Sequence, residues 1–215
     1  SSDVCSSDLA SVISNIHVND KDLISFLLLV KMLLGVAIDI GVINMGICAL
    51  YYPPGFNEAK ISFAPEHLAN CEICEWSCIS IGGKDFTSKI KAASDYVKSR
   101  KAMFTDAKFI VIEQQMQNQM KNISAAIASA IFMIREDAPI FFQHSGAKLK
   151  WKDLCILPTF NQKDLKTYNG RKKISTAIVA HIIKELPLYT EVFTKVKKRD
   201  DLADSLLHLL IYTCK

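Results

Sequence analysis

The sequence predicts a mixed α/β fold: a five-stranded sheet flanked by helices. Three observations predict it. Apolar runs of strand length are closed by glycine or proline. Segments with apolar residues at helical spacing follow and alternate with further apolar runs. Three early strand candidates precede that alternation, the order expected of a mixed sheet.

The elements follow in order. Val36–Ile40 is a short apolar run ended by Gly41, and Met45–Tyr52 is a second, closed by the turn signal Pro53-Pro54-Gly55. Cys78–Ile81 is a third strand candidate, closed by Gly82-Gly83. Phe86–Phe104 has helical spacing, with Ile90, Ala93, Val97 and Ala102 near one face. Phe109–Ile112 is continuously apolar, as a strand buried on both faces would be. Ile123–Ile134 is an Ala- and Ile-rich helix, Ile140–Phe142 a short strand, Ile174–Leu186 a helix stopped by Pro187, and Asp200–Tyr212 a final amphipathic helix. There is no internal repeat and no linker.

Residues 32–215 are expected to form the domain. Met32 is the first methionine, and Ser1–Leu9, SSDVCSSDL, resembles translated sequencing-adaptor read-through. Residues 1–31 are therefore expected to be a non-native or disordered extension. The apolar stretch Ile24–Val30 is interrupted by Lys31 and is too short for a membrane span of roughly 18 or more uncharged residues.

Half of the 215 residues are apolar and the net charge is +4, so total charge does not announce a polyanion partner. Its distribution is more telling. Eight basic residues (Lys148, Lys150, Lys152, Lys163, Lys166, Arg171, Lys172 and Lys173) stand against two acidic ones between Ala147 and Lys173. Lys195, Lys197, Lys198 and Arg199 form a second run. Such stripes serve as solvated faces, and they also suit a phosphate backbone. The seven cysteines are an odd number without regular spacing, which argues against a secreted disulfide framework and for a reducing compartment.

The chemistry rests on carboxylates. Asp39 interrupts the run Val-Ala-Ile-Asp-Ile, and Glu113 ends Phe-Ile-Val-Ile-Glu. An unpaired buried carboxylate costs several kcal/mol, so each acid either sits at a strand tip, pairs with a base or serves a function. Asp201 and Asp204, at i and i+3, share one side of the last helix, while Asp200 points about 100° away and ranks lower. Four carboxylates from two strands and a helix could hold two Mg²⁺ ions about 3.5–4 Å apart for phosphodiester hydrolysis. In that picture Asp39 bridges the ions, Glu113 and Asp204 complete separate coordination spheres, and Asp201 is a ligand or orients the water.

The motifs Asp39-Ile-Gly-Val-Ile-Asn44, Ile112-Glu113-Gln114-Gln115 and Asp200-Asp201-Leu-Ala-Asp204-Ser205 together resemble the motif series of poxvirus-type Holliday-junction resolvases. These belong to the RuvC-like group of RNase H-fold nucleases, and the resemblance spans about Gly35 to Tyr212. It implies an RNase H-like fold and Asp39, Glu113, Asp201 and Asp204 as catalytic, metal-binding acids. It implies Mg²⁺, with Mn²⁺ able to substitute, and close backbone approach at Gly41. Asn44 and Gln115 would support the site and, with Lys148, Lys150, Lys163, Lys166, Arg171, Lys172 and Lys173, meet the DNA. Tyr168-Asn-Gly-Arg-Lys-Lys173 resembles the family's basic region, whereas Ile43 departs from the expected basic residue beside the Asn. The implied partners are four-way DNA junctions and a second copy of the chain, since resolution needs two symmetric cuts. The implied setting is the cytoplasm of a virus-infected cell, with no membrane partner.

Other constellations weigh less. His67, Cys71, Cys74 and Cys78 offer four N/S ligands for zinc, but H-x3-C-x2-C-x3-C is not a standard zinc spacing, and buried structural cysteines are the favoured reading. His208, at i+4 from Asp204 and i+7 from Asp201, could face the acids, but reads first as a partly buried helix histidine. Met116 and Met120 read as packing residues, and Trp76, Trp151 and Tyr168 as core or rim aromatics. An actin-like ATPase would need a second Asp-Gly-Gly loop that the chain lacks. Another RNase H-like nuclease acting on RNA, RNA–DNA hybrid or other branched DNA shares the same acids and stays open, whereas a non-catalytic DNA-binding relative is disfavoured because all four acids are present.

Overall fold

Five strands form one sheet in the order β3-β2-β1-β4-β5. The computed structural model describes residues 32–53, 68–147 and 162–213. The strands are β1 (Leu33–Ile40), β2 (Asn44–Tyr52), β3 (Glu72–Ser80), β4 (Ala107–Gln114) and β5 (Ile140–His144). The β1–β2 and β2–β3 pairs are antiparallel, and the β1–β4 and β4–β5 pairs are parallel. This is the mixed five-stranded sheet flanked by helices that the sequence predicts.

Alternation of side chains sorts the sheet residues between two cores. On one face Val36, Ile38, Ile40, Ile47, Ile110 and Ile112 pack against α1 (Phe86–Ser99), α2 (Lys101–Asp106) and α3 (Asn118–Ile134). On the other face Ala37, Cys48, Leu50, Phe109 and Val111 pack against α5 (Tyr168–Ile182), α6 (Pro187–Lys195) and α7 (Arg199–Thr213). The short α4 (Gln162–Lys166) precedes α5, and Gly170 lets the two approach, since a Cβ there would lie 2.1 Å from the Asp164 carbonyl oxygen.

The expected strands all form, with wider bounds. β3 begins six residues before the expected Cys78 because this edge strand alternates polar and half-buried residues (Glu72, Glu75, Ser77) and shows no apolar run. β1 passes through Gly35, where a side chain would strike the Phe109 ring 2.3 Å away. The expected helix Phe86–Phe104 is two helices, broken at Arg100 (φ −108°, ψ 29°), whose side chain reaches back to Glu75 at 2.8 Å. α3 starts at Asn118 and α5 at Tyr168, ahead of their apolar stretches; the Thr167 hydroxyl caps α5 by accepting from Gly170 N at 3.0 Å. Pro187 does more than stop α5, because it opens α6 as a first-turn proline.

α7 departs most from expectation. It is buried from Asp201 to Leu210 on every side, not on one stripe. Leu202, Leu206 and Leu209 belong to the core it shares with the sheet, and so do Ala203, Leu207 and Leu210. Each buried leucine contributes roughly 1.5–3 kcal/mol, and together they hold the helix against the cost of its buried acids. Trp76 of β3 ties the first turn down: its Nε1 donates to the Leu202 carbonyl at 3.0 Å, and its ring stacks on Phe193.

Gly46 admits α7 to the sheet. It pairs with Asp39 across β1–β2, and a Cβ at Gly46 would lie 2.2 Å from the Asp201 carbonyl oxygen. Gly46→Ala should therefore push the helix start outward and cost about 1–3 kcal/mol in urea unfolding. Gly82→Ala, whose Cβ would meet Ser80 Oγ at an ordinary 3.4 Å, should cost far less. Equal stability of the two variants would contradict this account of the helix–sheet approach.

Candidate metal centre and nucleic-acid cleft

Asp39 shares a face with Ala37, and Glu113 with Val111, so both acids point toward α7. Ile38 pairs with Ile112 in the parallel β1–β4 register, which sets Asp39 and Glu113 side by side one residue further on. Each sits where its strand runs out toward a cleft. Asp201 and Asp204 of α7 line the same cleft, so the four sequence-predicted acids come together around it. All are buried, at 6% exposure for Asp39, 5% for Glu113, 6% for Asp201 and 4% for Asp204.

Their engagement differs. Glu113 Oε2 accepts from Gln115 Nε2 at 2.5 Å, so Gln115 orients a carboxylate, and it too lines the cleft. Asp201 is held by two neighbours: Lys172 Nζ donates to its Oδ1 at 3.0 Å and the Cys78 thiol to its Oδ2 at 3.7 Å. Burial and then the Asp201 carboxylate push the Cys78 thiol up to about 11, which keeps it a proton donor. Lys172 also bonds Asp200 and lies 5.1 Å above the Tyr168 ring. Burial opposes its charge, but the hydrogen bonds to Asp200, Tyr168 and Asp201 outweigh that and raise its pKa. Asp200 turns away from the cleft as expected; burial works against its charge, and Lys172 and Lys198 nevertheless hold it below the usual carboxylate value.

Sequence reasoning ranked His208 too low. It is fully buried, not partly, and its Nε2 lies 3.6 Å from Glu113 Oε1. One ligand atom from each of Asp39, Glu113 and His208 falls within 4.8 Å of the others, the one such metal-competent cluster of three or more among the described residues. Asp201 and Asp204 stand outside that tight triplet. The signal available in the sequence was spacing alone: His208 follows Asp204 by one helical turn.

This donor set fits a divalent cation. Four buried carboxylates line an open cleft, and the fully buried His208 imidazole lies beside Glu113, so hard oxygen ligands and one nitrogen are at hand, and a cation would offset their crowding. Lys172 supplies one positive charge, which leaves room for more.

The remaining expected residues scatter. Arg171 and Lys172 line the cleft with Tyr168, which is exposed at its rim. Lys173 lines an adjoining depression with Asn169, Lys172, Lys197 and Arg199, so α5 and the start of α7 build one basic surface. Lys163 and Lys166 are exposed on α4 and line neither. Lys148 and Lys150 lie outside the described residues. Asn44 does not line the cleft; its carbonyl accepts from Gly41 N at 2.8 Å and closes the β1–β2 turn, which is the close backbone approach that Gly41 permits. Met116 and Met120 also line the cleft, and Met116 is well exposed, contrary to a packing role. Trp76 is core, while Trp151 lies outside the described residues.

The cysteines make no zinc cage among the described residues. Cys71 joins the core beside Cys48, Cys74 is exposed near Tyr51, and Cys78 faces Asp201. The β2–β3 register shifts between Ala49 and Leu50, opposite Cys74, and His67 lies outside the described residues. No described helix is long and apolar enough to cross a membrane.

A family model described as "Poxvirus A22 protein" matches residues 32–214. Among solved structures, the chain is similar to "Thermus thermophilus RuvC structure" at 12% identity and TM-score 0.49, covering 83% of this chain and 92% of that one. It is also similar to "T. thermophilus RuvC in complex with Holliday junction substrate" at 12% identity and TM-score 0.44, covering 83% and 91%. No curated protein matches.

The Lys172–Asp200 pairing has a measurable signature. In a carboxyl NMR titration, Asp200 should titrate below 3.8, and Lys172→Met should move it upward, because burial then acts with less opposition. The linkage sign follows from the depression: the stabilisation is present above the unfolded value and fades as pH falls through the folded one. An unmoved Asp200 would remove Lys172 as the cause.

Proposed function

The chain belongs to the poxvirus A22 family, a family of Holliday-junction resolvases, and on that premise we propose that it cuts four-way DNA junctions by metal-dependent phosphodiester hydrolysis at the Asp39–Glu113–Asp201–Asp204 cleft. The observation that carries the proposal is the meeting of acids from β1, β4 and α7, far apart in sequence, at one buried but open point. The resolvase domain is taken as residues 32–215.

Asp39, Glu113, Asp201 and Asp204 would hold two Mg²⁺ ions, with Mn²⁺ substituting. Such ions, when bound, lower the pKa of water and stabilise charge on the leaving oxygen. The chain's own residues do the rest. Gln115 fixes the rotamer of Glu113, and Lys172 fixes that of Asp201. The leucines of α7 keep the acids rigid, as a preorganised site requires. Arg171, Lys172 and Lys173 present positive charge on the approach to the acids, where a DNA backbone would release counterions. Lys163 and Lys166 extend that charge further out.

Two coordinated cuts imply a two-fold homodimer acting on the branch point. The family is a viral one, and the fitting setting is the infected-cell cytoplasm, where replicated genomes would be resolved.

Asp39→Asn should lower cleavage of a labelled four-way junction by about 10²–10³-fold or more, while junction binding in a gel-shift assay survives. Unchanged cleavage would reject the metal centre, and preferential cutting of an RNA–DNA hybrid over paired nicks in junctions would reject the substrate. Lys173→Ala should leave Mg²⁺ binding intact, weaken DNA binding and reduce the log–log salt slope by about one. A slope equal to wild type would take Lys173 out of the DNA path.

A further inference from the structure

We propose that His208 is itself a ligand in this centre and that its imidazole makes the site select Mn²⁺ over Mg²⁺. The inference rests on the metal-centre reading above and adds a residue and a preference to it.

The geometry is that of a supported ligand. His208 sits on α7 one turn beyond Asp204, fully buried, with Nε2 3.6 Å from Glu113 Oε1. Its other ring nitrogen, Nδ1, lies 3.4 Å from Gln143 Oε1. Gln143 stands opposite Glu113 in the β4–β5 register, so the sheet that positions the carboxylate also positions the group behind the histidine. A carbonyl oxygen can only accept, so this partner favours the proton on Nδ1 and turns the Nε2 lone pair toward the carboxylates. Metal-bound histidines are held this way, by a hydrogen bond from the nitrogen that does not ligate.

Three acceptor atoms, from Asp39, Glu113 and His208, then converge within 4.8 Å of one another. A cation among them would be met by all three. The nature of the donors selects that cation. Mg²⁺ favours oxygen ligands and gives up water reluctantly. Imidazole nitrogen suits first-row transition ions better than it suits Mg²⁺, and among them Mn²⁺ is nearest to Mg²⁺ in its preference for carboxylate oxygen. The competing arrangement is an imidazolium that pairs with Glu113 and binds no metal.

Equilibrium binding and pulsed electron paramagnetic resonance on the full chain without DNA separate the two. Wild-type protein should bind Mn²⁺ at least about 10-fold more tightly than Mg²⁺, and the bound Mn²⁺ should show ¹⁴N coupling from an imidazole. His144 also lines the cleft, so His144→Gln is the control and should keep the coupling. His208→Gln should abolish the coupling and lower Mn²⁺ affinity by about 10-fold while Mg²⁺ affinity changes little, since the amide still offers an oxygen. Should that variant fail to fold, His208→Asn takes its place with the same outcomes, and coupling that persists in His144→Gln excludes the histidine that lines the cleft. Mn²⁺ bound without ¹⁴N coupling, or a Mn²⁺/Mg²⁺ ratio unchanged in folded His208→Gln, overturns the role of His208. If the ions bind and Asp39→Asn removes them under that outcome, the metal centre stands and only the inference falls. Wild type that binds neither ion would sink both.

Discussion

Four carboxylates buried around one point repel one another, and the structure is arranged to tolerate this. Desolvation of each charge costs several kcal/mol, more than a surface pair could return. The compensation is distributed. Lys172 answers Asp200 and Asp201, Gln115 answers Glu113, and the leucines of α7 supply the apolar burial that keeps the helix in place. In the proposed centre, divalent cations would add to that compensation. The same crowding that would destabilise a bare protein would thus become affinity in the proposed metal centre.

Position is as constrained as charge. The two strand acids are adjacent because β1 and β4 are parallel neighbours, and the helix acids reach them because Gly46 has no side chain. The basic residues of α5 then fall on the open side, some at the acids and some in the adjoining depression. In the proposed function, a phosphate backbone entering along α5 would meet positive charge first and the carboxylates last, an order suited to holding a polyanion beside a cluster that would otherwise repel it.

Much of this was legible in the chain. Asp39 and Glu113 stand out because an acid inside a core strand is expensive, and the i, i+3 pair in α7 belongs on one side of any helix. The sheet was readable from apolar runs, but β3 was understated because an edge strand carries Glu72 and Glu75 without penalty. His208 was underrated because spacing says which side of a helix a residue occupies and not what lies opposite. The tie between Lys172 and Asp201 crosses from α5 to α7, a distance no local pattern encodes. Gly46 left no trace either, since the helix it admits follows more than 150 positions later. Asn44, by contrast, was legible as important but not as a turn residue, because motif membership does not tell a backbone role from a side-chain one.

β1 reads Leu-Leu-Gly-Val-Ala-Ile-Asp-Ile and is buried on both faces. Greasiness alone would not tell such a ribbon which side is up, because sliding it by one place exchanges one set of aliphatic groups for another at small expense. Asp39 removes the degeneracy. In the slipped pairing its carboxylate would be driven among Ile38's neighbours on the oily side, with no ammonium or ion to meet it. The acid proposed to serve the reaction is therefore also the alignment mark of the central strand, and a neutral replacement there would loosen the folding specificity of the sheet.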